Sequence, residues 1–355
     1  MHKLNKGWLE LFRTYPLATL VAVNAIVIFT FTLLGEAVLR ATLPYRIDYY
    51  TGVTVPNRTI QYPFGTITIN RYGYPDTEFD LTDMRPRIGY VGDSVTYGIG
   101  AGQGFRISDL IENCMSIYQH MTFGMVKHDI TDIDRFVEEL RPFRLKTVIY
   151  LMNLNDILPD QRNDNPLLPT VVALVRETVD SMRSKSYIYN YLRTRIKEGL
   201  MRHGYGHNGY EAIELFPSNN DPSIRSFVTR INAVAEKFKK QEIKFCIVML
   251  PYEMQISQSA EEAYKSIGIR WDETFLDRGT QKRILNYLRS DIEVLDGYYA
   301  FIGQNDTVRS RSMNKIGQYF VYDKGDKLDW NHPNRIGHQY LATYMLKERF
   351  CGLGI

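Results

Sequence analysis

The longest uncharged stretch of the chain, residues 14–35, places the first limit on the fold. Its sequence is TYPLATLVAVNAIVIFTFTLLG, with Asn24 as the one strongly polar side chain. At about 1.5 Å per residue, a helix of this length crosses a hydrocarbon layer of roughly 30 Å. A cleaved signal peptide usually has a shorter apolar region followed by a small-x-small site, and the residues after Leu34, GEAVLR, provide no such site. We therefore predict an uncleaved transmembrane signal anchor over residues 14–35.

The basic residues on either side of this run predict its orientation. Lys3, Lys6 and Arg13 precede it, whereas Arg40 and Arg46 follow it. Because the side richer in Lys and Arg stays in the cytoplasm, we expect residues 1–13 inside and the rest of the chain outside. The chain is thus predicted to be anchored in the lipid bilayer by a single span, with its folded part exported.

Composition excludes several classes of protein. Of the 355 residues, 44% are hydrophobic and 23% are charged, which is typical of a globular fold and not of a disordered or collagen-like chain. The net charge of +3 is too small to indicate a nucleic-acid partner. Cys114, Cys246 and Cys351 stand far apart with no CxxC pair, so we expect neither a disulfide framework nor a zinc site. Cys246, within IKFCIVML, is interpreted as a small core residue.

From residue 86 onward, short apolar runs alternate with amphipathic stretches. Apolar runs that lack alternating polarity predict strands buried on both faces, and the stretches between them have helical spacing. This alternation indicates one α/β domain with a central parallel sheet. The predicted strands cover residues 88–91, 147–152, 243–250 and 292–295.

Domain boundaries follow from these patterns. Residues 36–85 are predicted to form a connecting segment with short strands, because the Thr–Ile alternation over 65–70 ends in a turn sequence. The α/β domain is predicted over 86–350. Within it, the stretch 160–220 is longer than a crossover between strands needs, and we predict a helical insertion there.

Polar residues stand after two of the predicted strands and before the final helix. GDSVTYG, with Ser94, follows the first strand; NLND, with Asn155, follows the strand 147–152; DWNHPN, with Asp329 and His332, precedes the final helix. In a parallel α/β sheet, ligands bind beyond the carboxyl ends of the strands. A hydroxyl, a base, a carboxylate and an amide at one edge are the groups that nucleophilic acyl transfer requires.

These three motifs resemble those of the GDSL-type esterases and lipases, also called SGNH hydrolases, in order and in spacing. The resemblance covers roughly residues 65–350, and ITINRYGY resembles membrane-anchored bacterial members. It implies a flavodoxin-like three-layer α/β sandwich. It also implies Ser94 as nucleophile, His332 as general base and Asp329 as the group that orients the imidazole. The backbone N–H of Ser94 and the side-chain amide of Asn155 would then bind the oxyanion.

The chain departs from the family pattern at two places. Asn153 stands where the family's Gly-x-Asn-Asp motif has glycine. The second-block glycine, which supplies a third oxyanion donor, corresponds either to Gly124 or, in another alignment, to the backbone of Lys127. The third donor is therefore predicted as Gly124 with Lys127 as the alternative.

Two other patterns predict neither a cofactor nor a metal ion. The glycine run over 98–104 contains no GxGxxG register, so it does not indicate a dinucleotide site. His203 and His207 have ligand-like spacing, but no third ligand stands nearby in the sequence. We expect no cofactor and no metal.

The resulting functional prediction is a serine esterase anchored in the bacterial cytoplasmic membrane and acting on its outer side. By resemblance, its substrate would be an O-acyl ester, above all an O-acetyl ester of cell-envelope carbohydrate. Three alternatives stay open: an O-acyltransferase that uses the same acyl-enzyme, a catalytically weak binding or assembly subunit, and a lipase with residues 166–175 as an apolar lid. The sequence identifies no protein partner.

Overall fold

The computed structural model describes most of the chain. The described residues are 14–42, 56–62, 64–126, 130–157, 186–189, 191–192, 196, 213–266, 269, 271–303, 314–323 and 327–354. The predicted cytoplasmic segment 1–13, Lys127, most of the predicted insertion and the lid candidate 166–175 lie outside these residues, as do His203 and His207.

Five parallel strands form the central sheet of the described part. They are β3 (Arg87–Gly92), β4 (Gln119–Gly124), β5 (Thr147–Met152), β6 (Lys244–Met249) and β7 (Glu293–Asp296), preceded in the chain by a separate antiparallel hairpin of β1 (Arg58–Tyr62) and β2 (Gly65–Ile69). Across the sheet the order is β4-β3-β5-β6-β7, and every neighbouring pair is parallel. Counted by appearance, this is the flavodoxin-like order 2-1-3-4-5. The predicted fold class is confirmed.

One helix precedes the sheet in the chain, and others cover both of its faces. In chain order they are α1 (Pro16–Thr42), α2 (Ser94–Tyr97), α3 (Ile107–Cys114), α4 (Ile130–Glu139), α5 (Pro217–Lys240), α6 (Glu253–Ile256), α7 (Ala260–Ser266), α8 (Gly279–Tyr287), α9 (Tyr299–Ile302) and α10 (Arg335–Lys347). Apolar side chains of α4, α5 and α8 join the sheet in one core, and those of α3, α9 and α10 form a second core on the opposite face. The architecture is therefore a three-layer sandwich, whose strands are apolar because both of their faces are buried.

The strand β4 is absent from the sequence prediction. Its sequence, QHMTFG, mixes polar with apolar residues, yet all six are buried. Residues 70–85 cover this edge of the sheet and satisfy the polar groups: Thr122 N donates to Asp76 Oδ2 at 2.7 Å, and the Gln119 amide donates to Asp80 O at 3.1 Å. An apolar run does not mark this strand, because another segment of the chain provides hydrogen-bond partners for its polar groups.

The segment between α1 and the sheet packs directly on the α/β unit. The β1–β2 hairpin buries Ile60 and Ile67 against Tyr97 and Ile99, which come from the start of the α/β region. Arg106 is 1% exposed and hydrogen-bonds Pro75 O, while also pairing with both Asp76 and Asp109. Burial of apolar surface and of a paired charge thus attaches residues 58–85 to the sheet.

One helix in the described residues, α1, is long and apolar enough to cross a membrane. It begins at Pro16, two residues after the start of the predicted span, and continues past its end to Thr42, and its apolar side chains are mostly exposed. By length and composition the helix suits either a membrane span or a signal sequence.

The cysteine prediction was wrong at one pair. Cys246, on β6, forms a disulfide with Cys351, just beyond α10, across a Cα–Cα distance of 6.2 Å. Their separation of 105 residues gave no pairing signal in the sequence, because only the packing of α10 against the sheet brings them together. Glu293 lies close to both sulfurs, but sulfurs joined to each other are not thiolate ligands for a metal. Cys114 is free and exposed.

Candidate active site

The first half of the site is the nucleophile turn, residues 92–98, which leads from β3 into α2. Gly92 has φ +150°, and a Cβ there would lie 2.4 Å from Thr96 Oγ1, so the turn requires glycine. Asp93 caps α2, because its Oδ1 accepts the Val95 N–H at 3.0 Å. Ser94 is the first residue of α2, at the carboxyl edge of the sheet, and is 7% exposed.

The second half is the base hairpin, formed by β8 (Phe320–Asp323), β9 (Lys327–Pro333) and the loop 314–319 that leads into them. Asp329 and His332 both lie on β9. Residues three apart on a regular strand point to opposite faces. Here the register shifts, since Val321 pairs with Asp329 while Phe320 pairs with Pro333. This irregularity, a bulge in the strand, lets the side chains of Asp329 and His332 meet on one side.

Ser94, His332 and Asp329 form a continuous hydrogen-bonded relay. Ser94 Oγ lies 2.7 Å from His332 Nε2, and His332 Nδ1 lies 2.6 Å from Asp329 Oδ2. A carboxylate at Nδ1 accepts the Nδ1–H proton, which leaves Nε2 as the acceptor for the serine hydroxyl. The geometry therefore suits removal of the serine proton by the imidazole.

Charges around the imidazole set its protonation. Burial alone lowers the pKa of His332, because it disfavours the charged ring. The Asp329 carboxylate acts in the opposite direction through its charge and its hydrogen bond, the Asp93 charge adds to it, and the pKa of His332 is raised above its usual value. An imidazolium formed during reaction is thus stabilised where it forms.

A second carboxyl group, that of Asp93, also contacts Ser94. Its Oδ2 lies 3.1 Å from Ser94 Oγ, and the side chain is 2% exposed. Burial raises the pKa of Asp93, against the opposing effects of the His332 charge and several hydrogen bonds. A protonated Asp93 donates to Ser94 Oγ and leaves the serine proton free for His332, whereas an ionised Asp93 competes with His332 for that proton.

The strand β5 delivers two asparagines to the same place. Asn155 is exposed, and its side chain acts to lower the pKa of the Asp93 carboxyl. The following residue, Asp156, accepts from Tyr150 OH at 2.6 Å and from Asn153 N at 3.1 Å, which fixes the turn that carries Asn155. Asn155 thus lies beside the nucleophile turn.

Asn153, the departure from the family glycine, connects the two halves of the site. Its Nδ2 lies 3.5 Å from Asp93 Oδ2 and 3.4 Å from the backbone O of Asn331, next to His332. Asn153 is fully buried, and its Oδ1 has no partner among the described residues. In the sequence this position shows only the absence of the family's glycine, whereas in the structure the Asn153 amide lies between Asp93 and Asn331.

Of the candidates for the third oxyanion donor, the structure describes Gly124 and leaves Lys127 outside the described residues. Gly124 ends β4 against the nucleophile turn, where a Cβ would come within 2.2 Å of Tyr97 N and 2.3 Å of Thr96 C. Close packing against α2 is sufficient reason for a glycine there. The role of Gly124 as a donor stays a prediction.

Sequence patterns gave no sign of the carboxyl group that supports the base hairpin. Glu253, at the start of α6, is 1% exposed; its Oε1 accepts the Gly317 N–H and its Oε2 accepts Tyr264 OH, both at 2.6 Å. Burial, aided by the charge of Asp329, raises the pKa of Glu253 to about 7. The ring of Tyr264 packs edge-on against Trp330, between the two catalytic candidates of β9. The sequence feature that could have indicated this support is a glutamate four residues after the end of β6.

Asn334 holds the other side of the hairpin. Its amide nitrogen lies within 3.2 Å of the backbone oxygens of Gly317, Gln318 and Phe320, while its Oδ1 accepts Gly337 N and caps α10. One side chain thus joins the entry of the hairpin to the helix that follows it.

No family model and no curated protein matches the sequence. Solved structures similar to the chain include a G-D-S-L family lipolytic protein from Veillonella parvula DSM 2008, with 11% identity, 74% of this chain and 96% of that chain covered, and a TM-score of 0.40. An acetylxylan esterase from Geobacillus stearothermophilus has 11% identity, coverage of 74% and 93%, and a TM-score of 0.40. Phospholipase A1 from Streptomyces albidoflavus NA297 has 13% identity, coverage of 73% and 98%, and a TM-score of 0.41.

Proposed function

We propose that the chain is a serine ester hydrolase with Ser94 as nucleophile. The observation that carries the proposal is the relay of 2.7 Å and 2.6 Å from Ser94 through His332 to Asp329. Ser94 and the Asp329–His332 pair come from distant parts of the sequence and meet as a hydroxyl, an imidazole and a carboxylate in line, which is the arrangement that nucleophilic acyl transfer uses. A binding subunit would have no use for this arrangement.

In the first half of the reaction, Ser94 Oγ attacks the ester carbonyl while His332 Nε2 takes the hydroxyl proton. The oxyanion that forms is bound by the backbone N–H of Ser94 and the side-chain amide of Asn155. Asp329 stabilises the imidazolium, which then gives its proton to the leaving alcohol. The products of this half are the free alcohol and an acyl-Ser94 ester.

In the second half, water takes the place of the alcohol. His332 removes a proton from the water as it attacks the acyl carbonyl, and returns that proton to Ser94 Oγ as the acid leaves. A sugar hydroxyl in place of water would give an O-acyltransferase through the same intermediate. Hydrolysis and transfer therefore differ only in the acceptor.

The finer proposal is that the substrate is an O-acetyl ester of cell-envelope carbohydrate. It is supported by the resemblance of the three motifs and of ITINRYGY to membrane-anchored bacterial members of the GDSL/SGNH family. We further propose that α1 anchors the chain in the cytoplasmic membrane with the α/β domain on the outer side. The disulfide between Cys246 and Cys351 supports this side, because disulfides persist in exported compartments and are rare in the cytoplasm.

Active-site labelling tests the chemistry. The full chain in detergent micelles, the parent beside Ser94→Ala, is treated with a fluorophosphonate and assayed with p-nitrophenyl acetate. We expect covalent label on Ser94 of the parent and loss of hydrolysis in the variant. Equal rates in both proteins, with no label on Ser94, would overturn the proposal.

Substrate and acceptor require a separate measurement. We expect p-nitrophenyl acetate to be cleaved faster than esters of longer acids, and free acetate to appear from acetylated xylan or from acetylated amino-sugar oligomers. Added oligosaccharide that becomes acetylated in place of acetate release would identify a transferase. Preference for long acyl chains would overturn the carbohydrate substrate while leaving the serine mechanism intact.

A further inference from the structure

The end of α1 is clamped to a segment that lies 150 residues further along the sequence. Glu36 is the first charged residue after the apolar run, and its carboxylate accepts hydrogen bonds from Tyr187 N at 2.9 Å, Ile188 N at 3.0 Å and Ser186 Oγ at 3.1 Å. Ser186 Oγ also accepts the Tyr189 N–H at 3.1 Å, as a helix cap does. The described residues 186–189 of the 186–196 segment are therefore held at the place where the apolar run ends.

Packing reinforces this clamp. Gly35 lets the segment approach closely, since a Cβ there would lie 2.7 Å from Ile188 Cδ1. Arg40 pairs with Glu36 at 2.8 Å and lies over the ring of Tyr187 at 4.9 Å. The hydrogen bonds that Glu36 accepts and the cation–π contact of Arg40 thus join the segment to the last turns of α1.

Two aliphatic side chains of this segment are exposed. Residues 187–189, 191–192 and 196 are helical. Leu192 and Ile196, one helical turn apart, are 51% and 62% exposed. Exposed aliphatic side chains in adjacent turns beside an apolar span indicate a lipid-facing surface.

The local sequence favours a bilayer surface over a protein partner. Tyrosines occupy positions 187, 189 and 191, and Tyr is enriched where helices meet the headgroup region. Arg193, Arg195 and Lys197 follow in the sequence, and basic residues near a span favour anionic lipid.

We propose that the 186–196 segment is a second membrane contact, which inserts Leu192 and Ile196 among the lipid headgroups on the side where α1 emerges. The occupant of this surface is an anionic bilayer. The chain would then contact the membrane at two places, a span and an interfacial segment, and the fold that follows residue 213 would be held close to the bilayer. The proposal does not depend on the hydrolase activity.

Depth-dependent fluorescence quenching tests it in the full chain reconstituted in vesicles of phosphatidylcholine and phosphatidylglycerol. In a Cys114→Ser background, which leaves the Cys246–Cys351 disulfide, single labels are introduced through Leu192→Cys or Ile196→Cys. Two control labels are introduced through Val27→Cys on α1 and through Leu285→Cys on α8, which are 44% and 41% exposed. Lipids with a nitroxide near the headgroup or near the chain end serve as quenchers.

We expect both segment labels to be quenched several-fold more by the headgroup quencher than the label at position 285. The label at position 27 should be quenched most by the chain-end quencher, which shows that the span is inserted. Segment labels that behave like position 285, while position 27 reports the bilayer interior, would overturn the proposal. Absence of quenching at position 27 as well would overturn it together with the anchor.

Discussion

The nucleophile turn and the base hairpin meet at one hydrogen bond, but they are held in different ways. The nucleophile turn lies between β3, β4 and α2, where Gly92 and Gly124 leave no room for a Cβ. The base hairpin lies outside the central sheet and depends on hydrogen bonds that the Asn334 amide donates and the Glu253 carboxyl accepts. One half of the site is fixed by packing and the other by polar contacts.

This difference teaches where the site is sensitive. Close packing changes little with pH, so damage to the nucleophile turn should appear as lost stability. A hairpin held by an ionisable group with a pKa of about 7 should respond to pH near neutrality. Variants in the two regions therefore distinguish the two modes of support.

The largest effect is expected from Asp329→Asn in the base hairpin. The asparagine amide donates to the imidazole where the carboxylate accepted, which favours the wrong tautomer, so kcat should fall by about 10⁴-fold. Stability should change little, because the Asp329 side chain is 26% exposed. Steady-state kinetics with p-nitrophenyl acetate and urea unfolding measure the two quantities. A kcat within tenfold of the parent would remove Asp329 from the relay.

In the nucleophile turn, Gly124→Ala should act on stability. The added Cβ would meet the Tyr97 N and Thr96 C backbone atoms, so we expect a loss of about 1–3 kcal/mol or more in the free energy of unfolding. Gly104→Ala measures backbone strain without a clash, because Gly104 has φ +89° and no atom within 4 Å of its Cβ position, whereas Gly124 has no positive φ. A Gly124→Ala protein as stable as the parent would contradict the packing argument.

For Glu253→Gln, the expected change is in the pH dependence of stability. The pKa of Glu253 is raised from 4.5 to about 7, so the folded protein binds a proton that the unfolded chain releases. The stability that this proton provides is present below pH 4.5 and is lost as the pH rises through about 7. Between about pH 5 and about pH 8, the parent should lose more unfolding free energy than the variant. Tyr264→Phe keeps the carboxyl and removes a hydrogen bond that lowers its pKa, so its loss should be at least as large as the parent's. Identical losses in parent and Glu253→Gln would contradict the argument.

The smallest effect is expected from Asp93→Asn in the nucleophile turn. An asparagine still accepts the Val95 N–H, so the cap survives and kcat should fall by less than about tenfold. The charge of Asp93 helps to raise the pKa of His332, and its removal should lower that pKa. Since His332 must be neutral to accept a proton, the acid limb of kcat/KM should move to lower pH. A pH–rate profile of parent and variant would show the shift, and an unmoved limb would exclude this coupling.

Predictions from the sequence succeeded where one physical pattern dominated. The runs 88–91, 147–152 and 243–250 are mostly apolar because both faces of the sheet are covered, and they coincide with β3, β5 and β6 to within a residue or two at each end. The strand β4 was missed because its polar side chains find partners in other segments: Gln119 in Asp80, His120 in Tyr90 and Thr122 in Ser108. A buried strand is recognised from its apolar sequence only where no other segment provides hydrogen-bond partners for polar side chains in it.

For the site, residue types were readable but their supports were not. Ser94, Asn155, Asp329 and His332 stand in motifs whose chemistry is local, so the sequence by itself determined which groups could react. Tertiary structure alone decided that Asn153 bridges Asp93 to the base hairpin, that a bulge turns Asp329 toward His332, that Glu253 supports the hairpin, and that Cys246 pairs with Cys351. Reactive groups are encoded residue by residue, whereas their positioning depends on contacts between segments far apart in the chain, and such contacts exist only once the sheet has formed.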